Sequence, residues 1–112
     1  MEFRKQKPIY LQIADRLMEQ VLAGELKEED RVPSVRDVAE AMGVNPNTVM
    51  RTFEYLQGAE IIYNRRGVGY FVSPDAQQKI LEKQRREFIE DDLPIIKQKM
   101  KMLGIDLREL LD

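Results

Sequence analysis

A chain of 112 residues has room for one small domain with an appendage, and so modest a core makes association with a partner an expectation on size alone. It has no cysteine and no histidine, which excludes a disulfide framework and a thiolate metal site and removes the usual base at neutral pH, so no enzyme, metal or cofactor role is expected. Its 18 Lys+Arg against 20 Asp+Glu leave a formal charge of -2, so any contact with nucleic acid must rest on cations gathered on one face.

No apolar run is long enough to span a membrane, and the opening MEFRKQKPIY lacks the apolar centre of a signal peptide; a cytoplasmic protein is expected. Pro8 suits a first helical turn, and Ile9, Ile13, Leu17 and Val21 recur at helical spacing beside Tyr10, Ala14 and Met18. The pattern predicts a helix over about 8–23, ended by Gly24 and followed by the charged connector Glu25-Leu26-Lys27-Glu28-Glu29-Asp30. Arg31 and Val32 then lead into Pro33, which discourages helix in the residue before it.

Ser34 is an N-cap candidate with Asp37 three residues on, and Val35, Val38, Ala39 and Met42 form an apolar stripe, so a second helix is expected over about 35–42. Gly43 supplies a turn. Asn45 caps a third helix that starts at Pro46 and buries Val49, Phe53 and Leu56. At about 100° per residue, Asn47, Thr48, Arg51 and Tyr55 fall on the arc opposite that stripe, where they can donate to phosphates or to base edges. On an isolated helix this would be a plain solvated side. Two short helices about a tight turn, with small polar donors at the start of the second, make it instead a helix-turn-helix that could enter a major groove.

Ile61-Ile62-Tyr63 and Tyr70-Phe71-Val72 are strand-forming runs around Asn64-Arg65-Arg66-Gly67-Val68-Gly69, which predicts a hairpin wing with two arginines at a flexible tip. The fold class expected is mostly α with a small β-hairpin: a winged helix-turn-helix over 1–73, followed by a helical tail over 74–112. In the tail, Ile80, Leu81, Phe88 and Ile89 lie among many charges. Ile89, Leu93, Ile96, Met100 and Leu103 then alternate steps of four and three, a seam suited to another helix. Pro94 interrupts it: either the helix kinks there, which the kept phase of the seam favours, or it ends near Glu90 and a new one begins with Asp91 or Asp92 as cap and the proline in its first turn. Gly104 stops that segment, and Asp106 with Glu109 resembles a capping box for a last short helix turning Leu107, Leu110 and Leu111 inward.

VPSVRDVAEAMGVNPNTVMRTFEYL followed by GAEIIYNRRGVGYFV resembles the N-terminal winged helix-turn-helix of the GntR family of bacterial transcription regulators, and the Asn45-Pro46-Asn47-Thr48-Val49 turn in so short a chain resembles its small YtrA-type subfamily. The resemblance covers about residues 8–73 and implies that Ser34 and Arg36 contact DNA, with Asn47, Thr48 and Arg51 of the recognition helix and with Gly67, Gly69 and the neighbouring Arg65 and Arg66 of the wing. Many relatives carry arginine where this chain has Pro46 and another near Met50, so fewer base contacts are available here. A short helical tail makes a homodimer in the resembling subfamily, which assigns Phe88, Ile89, Leu93, Ile96, Met100 and Leu103 to a dimer interface. The resemblance also implies a neighbouring transporter operon.

The function expected is a sequence-specific regulator, a repressor by default, that binds double-stranded operator DNA as a homodimer with Ser34, Arg36, Asn45, Asn47, Thr48, Arg51, Tyr55, Arg65, Arg66, Gly67 and Gly69 at the DNA. The alternative is a winged-helix module for protein contacts, compatible with the near-neutral charge. The residues name no small-molecule effector.

Overall fold

The computed structural model describes residues 7–111, which fall into two compact units, one over Lys7–Leu81 and the other from Glu82 onward. In the first, α1 spans Ile9–Leu22 and turns Ile13, Ala14, Leu17, Met18 and Val21 inward, while Ile9, expected on the same stripe, is 57% exposed at the helix start. Helix α2 is Val35–Met42, the range expected. The Ser34 hydroxyl oxygen accepts from the Asp37 N–H at 3.1 Å at one end, and Gly43 ends the helix in the left-handed region at φ 66. Val44 N–H then reaches back to Ala39 O at 3.1 Å, the five-residue closure that a left-handed glycine permits.

Helix α3, Pro46–Gly58, opens on Asn45, whose side-chain oxygen accepts from Asn47 N–H at 2.8 Å. Strands β1, Ile62–Arg65, and β2, Gly69–Val72, pair antiparallel with Ile62 opposite Val72 and Arg65 opposite Gly69. The strands therefore run further than the apolar runs suggested, and the tip shrinks to 66–68, closed by Val68 N–H to Arg65 O at 2.9 Å. Arg31 bridges Phe71 on the other side, giving the wing a third short edge.

The core lies between α1, α3 and the hairpin. Phe53 is 0% exposed and meets Tyr70 edge to face, 4.9 Å between centroids, with Val49, Leu56, Ile61 and Val72 around it. Ala76 and Ile80, on the first turns of α4 (Ala76–Glu87), are also 0% exposed and belong to this core. The first compact unit runs through Leu81, with those two side chains in its core.

In the second unit α5, Leu93–Leu103, follows a π-helical turn over Phe88–Asp92, and α6 is Leu107–Leu110. Proline lacks the N–H of an α-helical ladder and its ring crowds the carbonyl four residues back, here that of Glu90. The chain answers by widening the turn before Pro94: Leu93 N–H bonds Phe88 O, five residues back. The helix thus changes pitch without breaking, but the phase is not kept. One extra residue swings the rest of the helix by about 100°, which carries Phe88 onto the stripe of Leu93, Ile96, Met100 and Leu103 and moves Ile89 off it. The Asp106 carboxyl caps α6 and is held below the usual carboxylate range, first by the Arg108 N–H and then by its guanidinium, so this cap weakens only as pH falls through that lowered value.

Candidate nucleic-acid interface

Helix α3 sets the geometry. Val49, Thr52, Phe53 and Leu56 are buried, leaving Asn47, Met50, Arg51 and Glu54 as its exposed face. This face is the expected arc turned by part of a residue step. Thr48 and Tyr55, placed on that arc by the helical period, are only half exposed, Tyr55 because it lies against α1. Tyr55 meets Tyr10 edge to face at 6.3 Å, and the buried Thr52 hydroxyl donates to the Tyr10 carbonyl oxygen at 2.7 Å. Met50 and Glu54 were missed. A wheel that also counted Thr52 as buried would have found them.

The two capping side chains keep spare chemistry at the start of each helix. Ser34 Oγ accepts from its own helix, so its hydroxyl proton is left to donate. Asn45 accepts through its oxygen, so its amide N–H groups are left to donate. Arg36 stands well exposed, with a 3.4 Å ion pair to Glu40 one turn on. Both partners are in solvent, where such a pair contributes about 0.3–0.5 kcal/mol and yields to a phosphate. Arg51 lies over the Tyr10 ring, 4.1 Å from its centroid.

The wing arginines divide. Arg65, expected at the tip, is the last residue of β1, 4.5 Å over Phe71, 5.9 Å over Tyr63 and 3.7 Å from a Glu29 carboxylate oxygen. The Tyr63 hydroxyl donates to the same carboxylate, which holds the Tyr63 pKa above its ordinary value. Arg66 sits at the tip and makes no ion pair among the described residues.

Gly67 has φ 77 with open space around it, so it is glycine for the turn alone. Gly69 has φ 143, and a Cβ there would stand 3.2 Å from Arg31 Nε. Arg31 therefore lies along the wing backbone, a cation that sequence reasoning read only as a lead into Pro33. No local signal marks Arg31, Glu29 or Tyr10, since each acts on a partner far away along the chain.

In the second unit Phe88, Ile89 and Leu103 are 47%, 56% and 63% exposed, whereas Leu93, Ile96 and Met100 are half buried. Leu107, Leu110 and Leu111, expected to turn inward, are 55–66% exposed. Among the described residues no helix is long and apolar enough to cross a membrane, and no cluster of acidic side chains is placed to hold a metal ion.

The family model described as bacterial regulatory proteins, gntR family, matches residues 9–72. The chain is similar to the HTH-type transcriptional regulator YhcF of Bacillus subtilis (strain 168), 39% identical over 99% of this chain and 90% of YhcF. It is 35% identical to the HTH-type transcriptional repressor YtrA of the same organism, over 92% of this chain and 73% of YtrA. A solved GntR-family transcriptional regulator from Bacteroides thetaiotaomicron superposes with a TM-score of 0.80 at 43% identity, covering 92% of this chain and 89% of that one.

Proposed function

Because the chain belongs to the gntR family of bacterial regulatory proteins, among its small YtrA-type members, we propose that this DNA-binding transcription regulator is a cytoplasmic repressor that binds a pseudo-palindromic operator as a homodimer. The observation that carries this reading is the exposed face of α3. It offers an amide, a thioether, a guanidinium and a carboxylate in sequence at Asn47, Met50, Arg51 and Glu54, on a helix braced by a capped partner. These groups suit an adenine edge, a thymine methyl, a guanine edge and a cytosine amine respectively.

Ser34, Arg36 and Asn45 at the helix starts, with Thr48, would hold phosphates, and Arg66 and Arg31 would add wing contacts, with Gly67 shaping the tip and Gly69 making room for Arg31. The exposed apolar residues of α5 and α6 support pairing with a second copy, whose two-fold axis would be mirrored in the operator. By its likeness to YtrA, a repressor, binding would exclude polymerase from a promoter; a transporter operon is the target we favour.

Genomic DNA fragments selected by the purified protein, followed by binding across a salt series, test the reading. Arg36→Ala is expected to weaken all sequences alike and to flatten the log–log salt slope by about 0.9, one phosphate contact. Arg51→Ala is expected to lose about 5- to 150-fold in discrimination at one base pair. If both variants bind the selected DNA as wild type does, or binding is indifferent to salt as at an apolar protein interface, the DNA model is wrong.

The Glu29 carboxylate occupies Arg65 as a phosphate would. Glu29→Gln is therefore expected to raise DNA affinity a few-fold and steepen the salt slope by about 0.9, the mark of one added phosphate contact. An unchanged slope would show that Arg65 stays on its aromatic seat.

A further inference from the structure

An arginine on an exposed helix face ordinarily samples many rotamers, and a base contact must freeze them; a side chain held beforehand loses less on binding. Arg51 is so held. Its guanidinium carbon is 4.1 Å from the centroid of the Tyr10 ring, close enough for the cation to sit on the π face. Tyr10 is held at two points, by its ring and by its backbone. Its edge contact with Tyr55, 6.3 Å and 79° between planes, braces the side chain, and Tyr55 lies one turn beyond Arg51 on the same helix. The Tyr10 carbonyl oxygen accepts the hydroxyl proton of Thr52 at 2.7 Å, and Thr52 is 0% exposed, which ties the start of α1 to the residue next to Arg51.

A guanidinium lying parallel to the ring keeps its N–H edges free, and it is those edges that meet guanine O6 and N7. We propose that Tyr10 is a positioning residue for sequence readout: its ring, braced by Tyr55 on a backbone tied to Thr52, holds the Arg51 guanidinium with its donor edge presented for a guanine. Part of the protein's base discrimination is then set by α1, outside the helix-turn-helix. The proposal rests on the DNA-binding reading above and adds to it a residue that need not touch DNA.

The test uses the full-length protein and its genome-selected operator. The base pair read by Arg51 is identified first, as the one whose replacement weakens wild type but not Arg51→Ala. Discrimination at that base pair is then measured for Tyr10→Phe and Tyr10→Leu, with thermal unfolding as a check on the fold. Tyr10→Phe keeps the π face and is expected to stay within about 2-fold of wild type. Tyr10→Leu is expected to lose part of what Arg51→Ala loses, about 2- to 12-fold, the cost of freezing one free side chain, with its salt slope unchanged because no phosphate contact is lost.

If Tyr10→Leu weakens operator and replaced operator by one common factor, or keeps full discrimination, Tyr10 is only packing and the proposal falls while DNA binding stands. If wild type itself selects no DNA, both fall. A second measurement needs no variant. In free wild-type protein the Arg51 Nε–H signal is expected to be shifted by the ring current and as rigid as the backbone amides, and a mobile, unshifted signal would overturn the proposal.

Discussion

Phe53→Ala is expected to destabilise the first unit by about 3–5 kcal/mol, the usual cost of emptying a fully buried aromatic site. The ring is 0% exposed at the centre of the core and meets Tyr70 of the wing edge to face. It therefore packs the recognition helix and the hairpin together. At about 0.05–0.15 kcal/mol per residue, a unit over Lys7–Leu81 is stable by about 4–11 kcal/mol, so the loss takes a large share of what holds it. Each kcal/mol shifts the midpoint of so small a unit by about 4–8 °C, and the thermal midpoint should fall by about 12 °C or more. A fall below about 4 °C would show that Phe53 is not the residue that joins helix and wing.

Leu103→Asp is expected to do the opposite: little to the folded chain and much to its binding. Leu103 is 63% exposed in the single chain, and a surface substitution away from packed contacts stays within about 0.5 kcal/mol. In a seam against a second copy the same aspartate would be a charge without solvent, which is strongly unfavourable. Sedimentation equilibrium should give a dimer for wild type and a monomer for the variant. Affinity for the full operator should drop about 10²- to 10⁴-fold, with half-site affinity unchanged, because two linked heads bind through effective concentration. A variant that remains dimeric removes Leu103 from the interface.

How much of this was legible in the chain depends on how local each signal is. Helix α2 came out with the expected ends because Ser34 and Gly43 act within four residues of themselves, one by a hydroxyl and one by a left-handed φ. The start of α3 was set in the same way by Asn45 and Pro46. The seam of the tail was misphased because the π turn leaves no apolar spacing of its own; only Pro94 marks it, and the proline fixes where the ladder must change but not how. Arg65 was placed at the wing tip because apolar runs understate strands whose last pair is Arg65 with Gly69.

The exposed arc of α3 was legible to within one residue step. Which edge of it would be covered depended on α1, whose Tyr10 reaches Tyr55 and Arg51 across a distance in sequence that periodicity does not record. The same holds for Glu29 and Arg65, and for Arg31 and Gly69: each pair is made by the fold.

The two capping side chains have one more consequence, for how such a protein changes its target over evolutionary time. Ser34 and Asn45 hold the first turns of α2 and α3 with the same groups that face outward, so a drift at either position loses folding free energy together with any contact. Asn47, Met50 and Glu54 carry no such duty: among the described residues their side chains make no hydrogen bond or ion pair, and none is buried. On the proposed DNA-binding reading, lineages can therefore alter the base preference at these three places while the helices stay anchored. The chain separates a fixed frame at the starts of α2 and α3 from a variable alphabet on the exposed face of α3.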